Sequence, residues 1–180
     1  MVMRVTASIR RHPIVAGASL LVVVGVVAFV LLYFAPQQLF INTRLDEAVP
    51  TLRAPAASQQ PTAAVAPTPV ALLSGAFRSL EHTTTGRAVL LRLPDGSAVL
   101  RLTDFSTSNG PDVDVYLSRA PADASPDAFG RAPIELGGLR ANQGNINYTV
   151  PAGSDLTGVR SAVIWCRRFS VGFGVAPLDP

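Results

Sequence analysis

The chain has 180 residues, 48% of them hydrophobic, with 15 basic and 12 acidic side chains and a formal net charge of +3. All the basic residues are Arg, and the excess sits near the N-terminus: Arg4, Arg10, Arg11, Arg44 and Arg53 stand against Asp46 and Glu47, whereas ten Arg balance ten Asp or Glu from residue 71 onward. A neutral outer part with no basic stripe and no aromatic-basic interleaving excludes nucleic acid as a partner, and a single cysteine, Cys166, excludes a disulfide within the chain.

Ile14 to Phe34 is an uncharged run of 21 residues dominated by Val, Leu, Ala and Gly. As a helix it measures roughly 31 Å, close to the hydrocarbon core of a bilayer. Arg4, Arg10 and Arg11 precede it and no charge follows until Arg44. The positive-inside rule then places residues 1–13 in the cytoplasm, a transmembrane helix at 14–35, and the rest of the chain outside. A cleaved signal peptide is the competing reading. Its apolar core is usually only about 7–15 residues and ends in a small-x-small site, which Tyr33, Phe34 and Pro36 do not resemble.

Residues 36–70 read as a juxtamembrane segment and a linker. Leu39, Phe40 and Ile41 are apolar enough to touch headgroups, and Val49 to Val70 is dense in Pro, Ala, Thr, Ser and Gln. Repeated Pro favours extended backbone, so about 22 residues form a semi-rigid tether reaching at most roughly 70–75 Å. One domain remains, 71–180, a common size for a single core.

Within that domain short apolar runs alternate with turn signals. Gly75 to Leu80 is a predicted first strand. Arg87 to Leu93 and Ser97 to Thr103 flank Pro94-Asp95-Gly96, a hairpin turn. Asp112 to Ser118 alternates, with Val113, Val115 and Leu117 on one face and Asp112, Asp114, Tyr116 and Ser118 on the other, the pattern of a half-buried antiparallel strand. Arg119 to Pro133 is a predicted loop with one helical turn near Ser125 to Ala128. Strands resume at Ile134 to Leu136, Asn145 to Val150, Val159 to Cys166 and Phe169 to Val175. About eight short strands predict an all-β fold, a single antiparallel β-sandwich or barrel-like domain behind one N-terminal transmembrane helix.

The residue inventory limits the chemistry. The outer domain has one His, His82, one Cys and no Met. It therefore lacks Cys-x-x-Cys-His for c-type haem, the pairs needed for bis-His or His/Met haem, the two His of a blue-copper centre and the thioredoxin Cys-x-x-Cys. The sequence requires no cofactor and identifies none. A zinc site from Cys166, His82 and an Asp has no supporting spacing, and no metal is expected. Asp112 and Asp114 share a strand face that could offer oxygens to calcium, but with Asp104 they read more simply as soluble-face and turn residues.

Cys166 is then a small buried hydrophobe, a reactive thiol or a link to another molecule. His82 would lower the thiol pKa if the two met; otherwise it is a hydrogen-bonded residue at a strand end. Val163, Trp165, Phe169, Val171, Phe173 and Val175 are all odd-numbered and apolar, as on one core face of a continuous strand. Parity then points Cys166 away from that core, beside Arg168, unless a bulge or turn at Arg167-Arg168 resets it.

Six segments carry a resemblance: Gly75-Ala76-Phe77; His82 with Gly86; Asp104-Phe105; Gly110 to Leu117; Gly138-Leu139 leading to Gly144 and Tyr148-Thr149-Val150-Pro151; and Val163 to Gly174. Taken in order they resemble the DM13 family of small extracytoplasmic β-domains. The resemblance implies a redox or electron-transfer setting, with Cys166 as the redox-active residue. Three functions follow: a membrane-tethered outer domain with a redox or electron-transfer role through Cys166 and a protein partner, a ligand-binding β-sandwich in which the cysteine packs, and a cell-surface interaction module. A stand-alone enzyme is disfavoured.

Overall fold

The computed structural model describes residues 13–34, 41–50 and 68–180. The N-terminal tail before Pro13, Leu39 and Phe40 of the predicted interfacial segment, and residues 51–67 of the predicted linker lie outside the described residues. Helix α1 runs over Pro13–Phe34; proline fits the first turn, where its missing N–H would have no partner anyway. Ile14–Tyr33 is long and apolar enough to cross a membrane, a form shared by single-pass anchors and signal sequences.

Residues 41–180 form a separate unit, whose described residues make ten strands: β1 (Arg44–Asp46), β2 (Val70–Ala76), β3 (Arg78–Ser79), β4 (Thr85–Arg92), β5 (Ala98–Ser106), β6 (Val113–Ser118), β7 (Ile134–Gly138), β8 (Gln143–Thr149), β9 (Ser161–Cys166) and β10 (Val171–Pro177). A single turn of helix, α2 (Pro126–Phe129), interrupts the loop before β7. One sheet has the order β1-β8-β5-β4-β2 and the other β3-β10-β9-β6-β7. Every pairing is antiparallel except β1 with β8. The all-β sandwich expected from the strand pattern is the observed fold.

The period-2 pattern explains the layers. Leu90 of β4, Leu100 and Leu102 of β5 and Ile146 of β8 meet Val115 and Leu117 of β6 and Ile164 of β9, all at most 1% exposed, in one core between the sheets. The predicted hairpin is present: the Leu93 N–H donates to the Ser97 carbonyl at 2.8 Å, and Asp95 accepts from the Ser97 N–H at 2.9 Å and its hydroxyl at 2.6 Å.

Three expectations change. The predicted strand from Gly75 to Leu80 is split, because β2 and β3 lie in different sheets and buried Phe77 makes the crossing. The face of β6 expected to meet water is covered: Tyr116, Val163, Trp165 and Val175 pack with Phe129 in a second cluster, with Ala120, Ala122 and Ala124 of the 119–133 loop against it. A strand pattern cannot anticipate a lid supplied by a loop. Residues 41–50, placed by composition in the juxtamembrane segment, join the β unit. The Glu47 N–H donates to the Asn145 carbonyl at 2.8 Å, and buried Asn142 accepts from the Thr43 N–H at 2.7 Å.

Candidate functional site

Cys166 is the last residue of β9 and pairs with Val113 of β6 on one side and Val171 of β10 on the other. Its side chain is completely buried in the core between the sheets, together with Ala162 and Ile164. This corrects the parity expectation. In β9 the even-numbered residues face the main core and Val163 and Trp165 face the second cluster. Residues 167–170 then form a turn, with Ser170 at a φ of 52°. The register shifts again between Gly172 and Gly174, which returns Phe173 to the main core while Val175 joins the second cluster. One odd-numbered apolar set is therefore shared between two cores.

His82 lies in the link between β3 and β4 and stacks on Phe173, with ring centroids 3.7 Å apart and planes at 28°. Its carbonyl accepts from the Thr84 hydroxyl at 3.3 Å, and that hydroxyl lies 2.8 Å from the Thr107 hydroxyl. The imidazole is thus engaged with Phe173, and among the described residues no hydrogen bond joins the His82 and Cys166 side chains. No three His, Cys, Asp or Glu side chains converge as metal ligands among the described residues. Asp104 sits in β5 of one sheet and Asp114 in β6 of the other.

The residue after the cysteine organises the polar chemistry. The Arg167 N–H donates to the Asp112 carbonyl at 2.9 Å, which closes the turn against β6. Its Nε donates to the Tyr116 hydroxyl at 3.1 Å and lies 2.5 Å from Asp114 Oδ2, and Nη2 donates to Glu135 at 2.7 Å. Sequence reasoning missed this grouping. Asp114 and Tyr116 share β6, but Glu135 and Arg167 lie far from them in the chain, and only the order β9-β6-β7 brings the four together.

Asp114 is the costly member. Its side chain is 9% exposed and Oδ2, despite its nearness to Arg167, has no aligned hydrogen bond. Burial raises its pKa above the ordinary carboxylate value, outweighing the lowering by Arg167; Asp112 and Glu135 push the same way as burial. Arg167 is held more firmly protonated, first by its bond to Tyr116 and then by the charge of Asp114.

A carboxyl whose pKa rises on folding binds protons more readily in the native state. Its ionisation penalty is absent below the unfolded pKa and sets in as pH rises through the window up to the folded one. Urea unfolding of native protein and Asp114→Asn at pH 7 and pH 4.5 is expected to show the native chain gaining on the variant at the lower pH; a pH-independent difference refutes the assignment. Arg167→Ala, which strands the carboxylate, is expected to lower the stability at neutral pH and to raise the Asp114 pKa further, since the lowering by Arg167 is lost.

A cleft of about 590 Å³ is lined by Arg92, Ser97, Thr149, Asp155 and Thr157 among others, with no aromatic residue and neither Cys166 nor His82. It is a half-open surface depression with mixed polar and apolar walls, Ala98, Val150, Pro151 and Leu156 among the latter, and lacks the enclosure usual for small-molecule sites.

Neither a curated protein nor a solved structure matches the chain. Over residues 76–178 it matches the family described as Electron transfer DM13. That span begins at the last residue of β2 and takes in β3 to β10 with Cys166, His82 and the Arg167 group. With more than half of its length matched and the strand order continuous through the match, the chain belongs to the DM13 electron-transfer family.

Proposed function

We propose that this protein is a membrane-tethered electron-transfer domain that works outside the cytoplasm, with Cys166 as its redox thiol and a second protein as its partner. The observation that carries the reading is the match to an electron-transfer family across the whole segment that holds Cys166. The residue inventory supports it: Cys166 is the unit's only sulfur, since both Met residues lie at positions 1 and 3.

A lone thiol needs its second sulfur from elsewhere. The Cys166 thiolate would attack a disulfide of the partner protein, so that an S–S bond forms to one partner sulfur. The other leaves as a thiolate, and the thiol proton passes to water. Complete burial means the attack waits for an opening. The cysteine is placed for one, because it is the last residue before the β9–β10 turn, whose Phe169 is 48% exposed. Local opening of such a hairpin costs less than global unfolding.

The same burial favours a second reading, in which Cys166 packs as a small apolar residue and the domain acts as a binding or interaction module. Thiol labelling across a urea series separates the two. The redox reading expects a native-state labelling rate at least about tenfold above the rate set by global unfolding, as for any locally opening segment. Labelling that tracks global unfolding at every urea concentration sinks it and leaves the packing reading. Cys166→Ala is the suitable inactive control, because serine would place an unpaired hydroxyl in the core.

A further inference from the structure

The chain order makes an unexpected use of residues 41–50. Helix α1 ends at Phe34, and only residues 35–40 separate it from the β unit, which begins at Ile41. The Pro-rich segment lies farther along the chain. It joins β1, at one edge of a five-stranded sheet, to β2, at the opposite edge of the same sheet. It therefore connects two parts of one domain instead of hanging that domain from the membrane.

The edge of β8 is shaped for β1. Gly144 takes a φ of 111°, and a Cβ there would lie 2.2 Å from the Leu45 carbonyl oxygen, so any side chain would displace the strand. Glu47 accepts two bonds from the Arg140 guanidinium, at 3.0 and 2.8 Å, and a third from the Asn147 N–H at 2.6 Å. Arg101 donates to the Glu47 and Ala48 carbonyls at 3.1 and 3.0 Å. Leu45 alone adds an apolar contact to the main core. The family match begins at residue 76, so β1, like all but the last residue of β2, lies outside the matched span.

We propose that β1 is a clasp: its pairing with β8, and not the Pro-rich segment, sets how the electron-transfer domain is held to the membrane anchor. With β1 paired the leash is residues 35–40, which can span at most about 20 Å; with β1 released it is residues 35–69, which can span at most about 120 Å. The clasp confines the domain to partners resident at the same membrane surface, and release widens its reach to partners beyond it. The inference rests on the reading of α1 as a retained anchor.

The full chain in native membranes tests it, with a specific protease site substituted within residues 56–63 and cut to completion. The expected result is that the cut domain stays in the membrane pellet, held by β1. Glu47→Arg, which sets two guanidinium groups against each other, is expected to raise the released fraction about tenfold or more, and Glu47→Arg with Arg140→Glu is expected to return it to the pellet. Release of the native domain on cutting overturns the clasp, as does retention that Glu47→Arg leaves unchanged. A chain found in the supernatant before cutting overturns the anchor reading, and the clasp with it.

Discussion

Replacing Phe105 with alanine is expected to lower the unfolding free energy of the β unit by about 3–5 kcal/mol, the range for removing a buried aromatic ring. Phe105 is 2% exposed and packs at 5.3 Å, tilted by 60°, on Phe77, the residue at which the chain crosses from one sheet to the other. It follows Asp104, which holds a φ of 48° in a register shift between Leu102 and Phe105. The bulge re-aims the ring into the core, and the ring in turn fixes the crossing. The variant therefore leaves a cavity at the point where the two sheets are joined. Against a typical total of about 5–15 kcal/mol, that is a large share. Trp165, the chain's only tryptophan, is 8% exposed and reports the transition. The urea midpoint is expected to fall at unchanged slope, and a loss below about 1 kcal/mol would contradict the packing described here.

Gly75→Ala is expected to be nearly as damaging, at about 3 kcal/mol or more, although it adds one methyl group. A Cβ at residue 75 would stand 1.7 Å from the Pro177 carbonyl oxygen and 2.8 Å from the carbonyl carbon. Both are backbone atoms, so no side chain can swing aside. Relief requires the end of β10 to move off β2, which breaks the two bonds between Ser74 and Asp179, at 2.7 and 3.2 Å. Gly130→Ala is the matched control. Its φ of −80° suits any residue, and nothing lies within 4 Å of an added Cβ. Thermal melts of the two variants side by side are expected to separate by roughly 10 °C. Equal melting temperatures would mean that β2 and β10 do not approach this closely.

Much of the fold was legible because a strand between two sheets leaves a local mark. Leu100 and Leu102, or Val113, Val115 and Leu117, declare a core face by alternation alone, and Pro94-Asp95-Gly96 declares its turn by residue type. The failures share a cause. Val163 and Trp165 are apolar because a loop from 119–133 covers them, Phe173 because a register shift turns it inward. Period-2 reasoning treats these as one face, and so it sent Cys166 outward.

The candidate site divides the same way. Cys166 stood out from its rarity, and the DM13 resemblance singled it out as well. Its surroundings did not, because Asp114, Glu135 and Arg167 become neighbours only through strand order. The N-terminal segments show the sharpest contrast. Composition alone identified an apolar helix of membrane length and a Pro-rich segment, since both properties are carried residue by residue. Composition could not tell that Arg44 to Asp46 pairs with β8, because a three-residue strand has no measurable period and is held mainly by polar contacts to residues about a hundred positions away. The sequence by itself determined most of the strands, the anchor-length helix and the single thiol. The tertiary structure decided which face of β9 is inside, what Arg167 touches and that Arg44 to Asp46 pairs with β8, because each of these depends on contacts between residues distant in the chain.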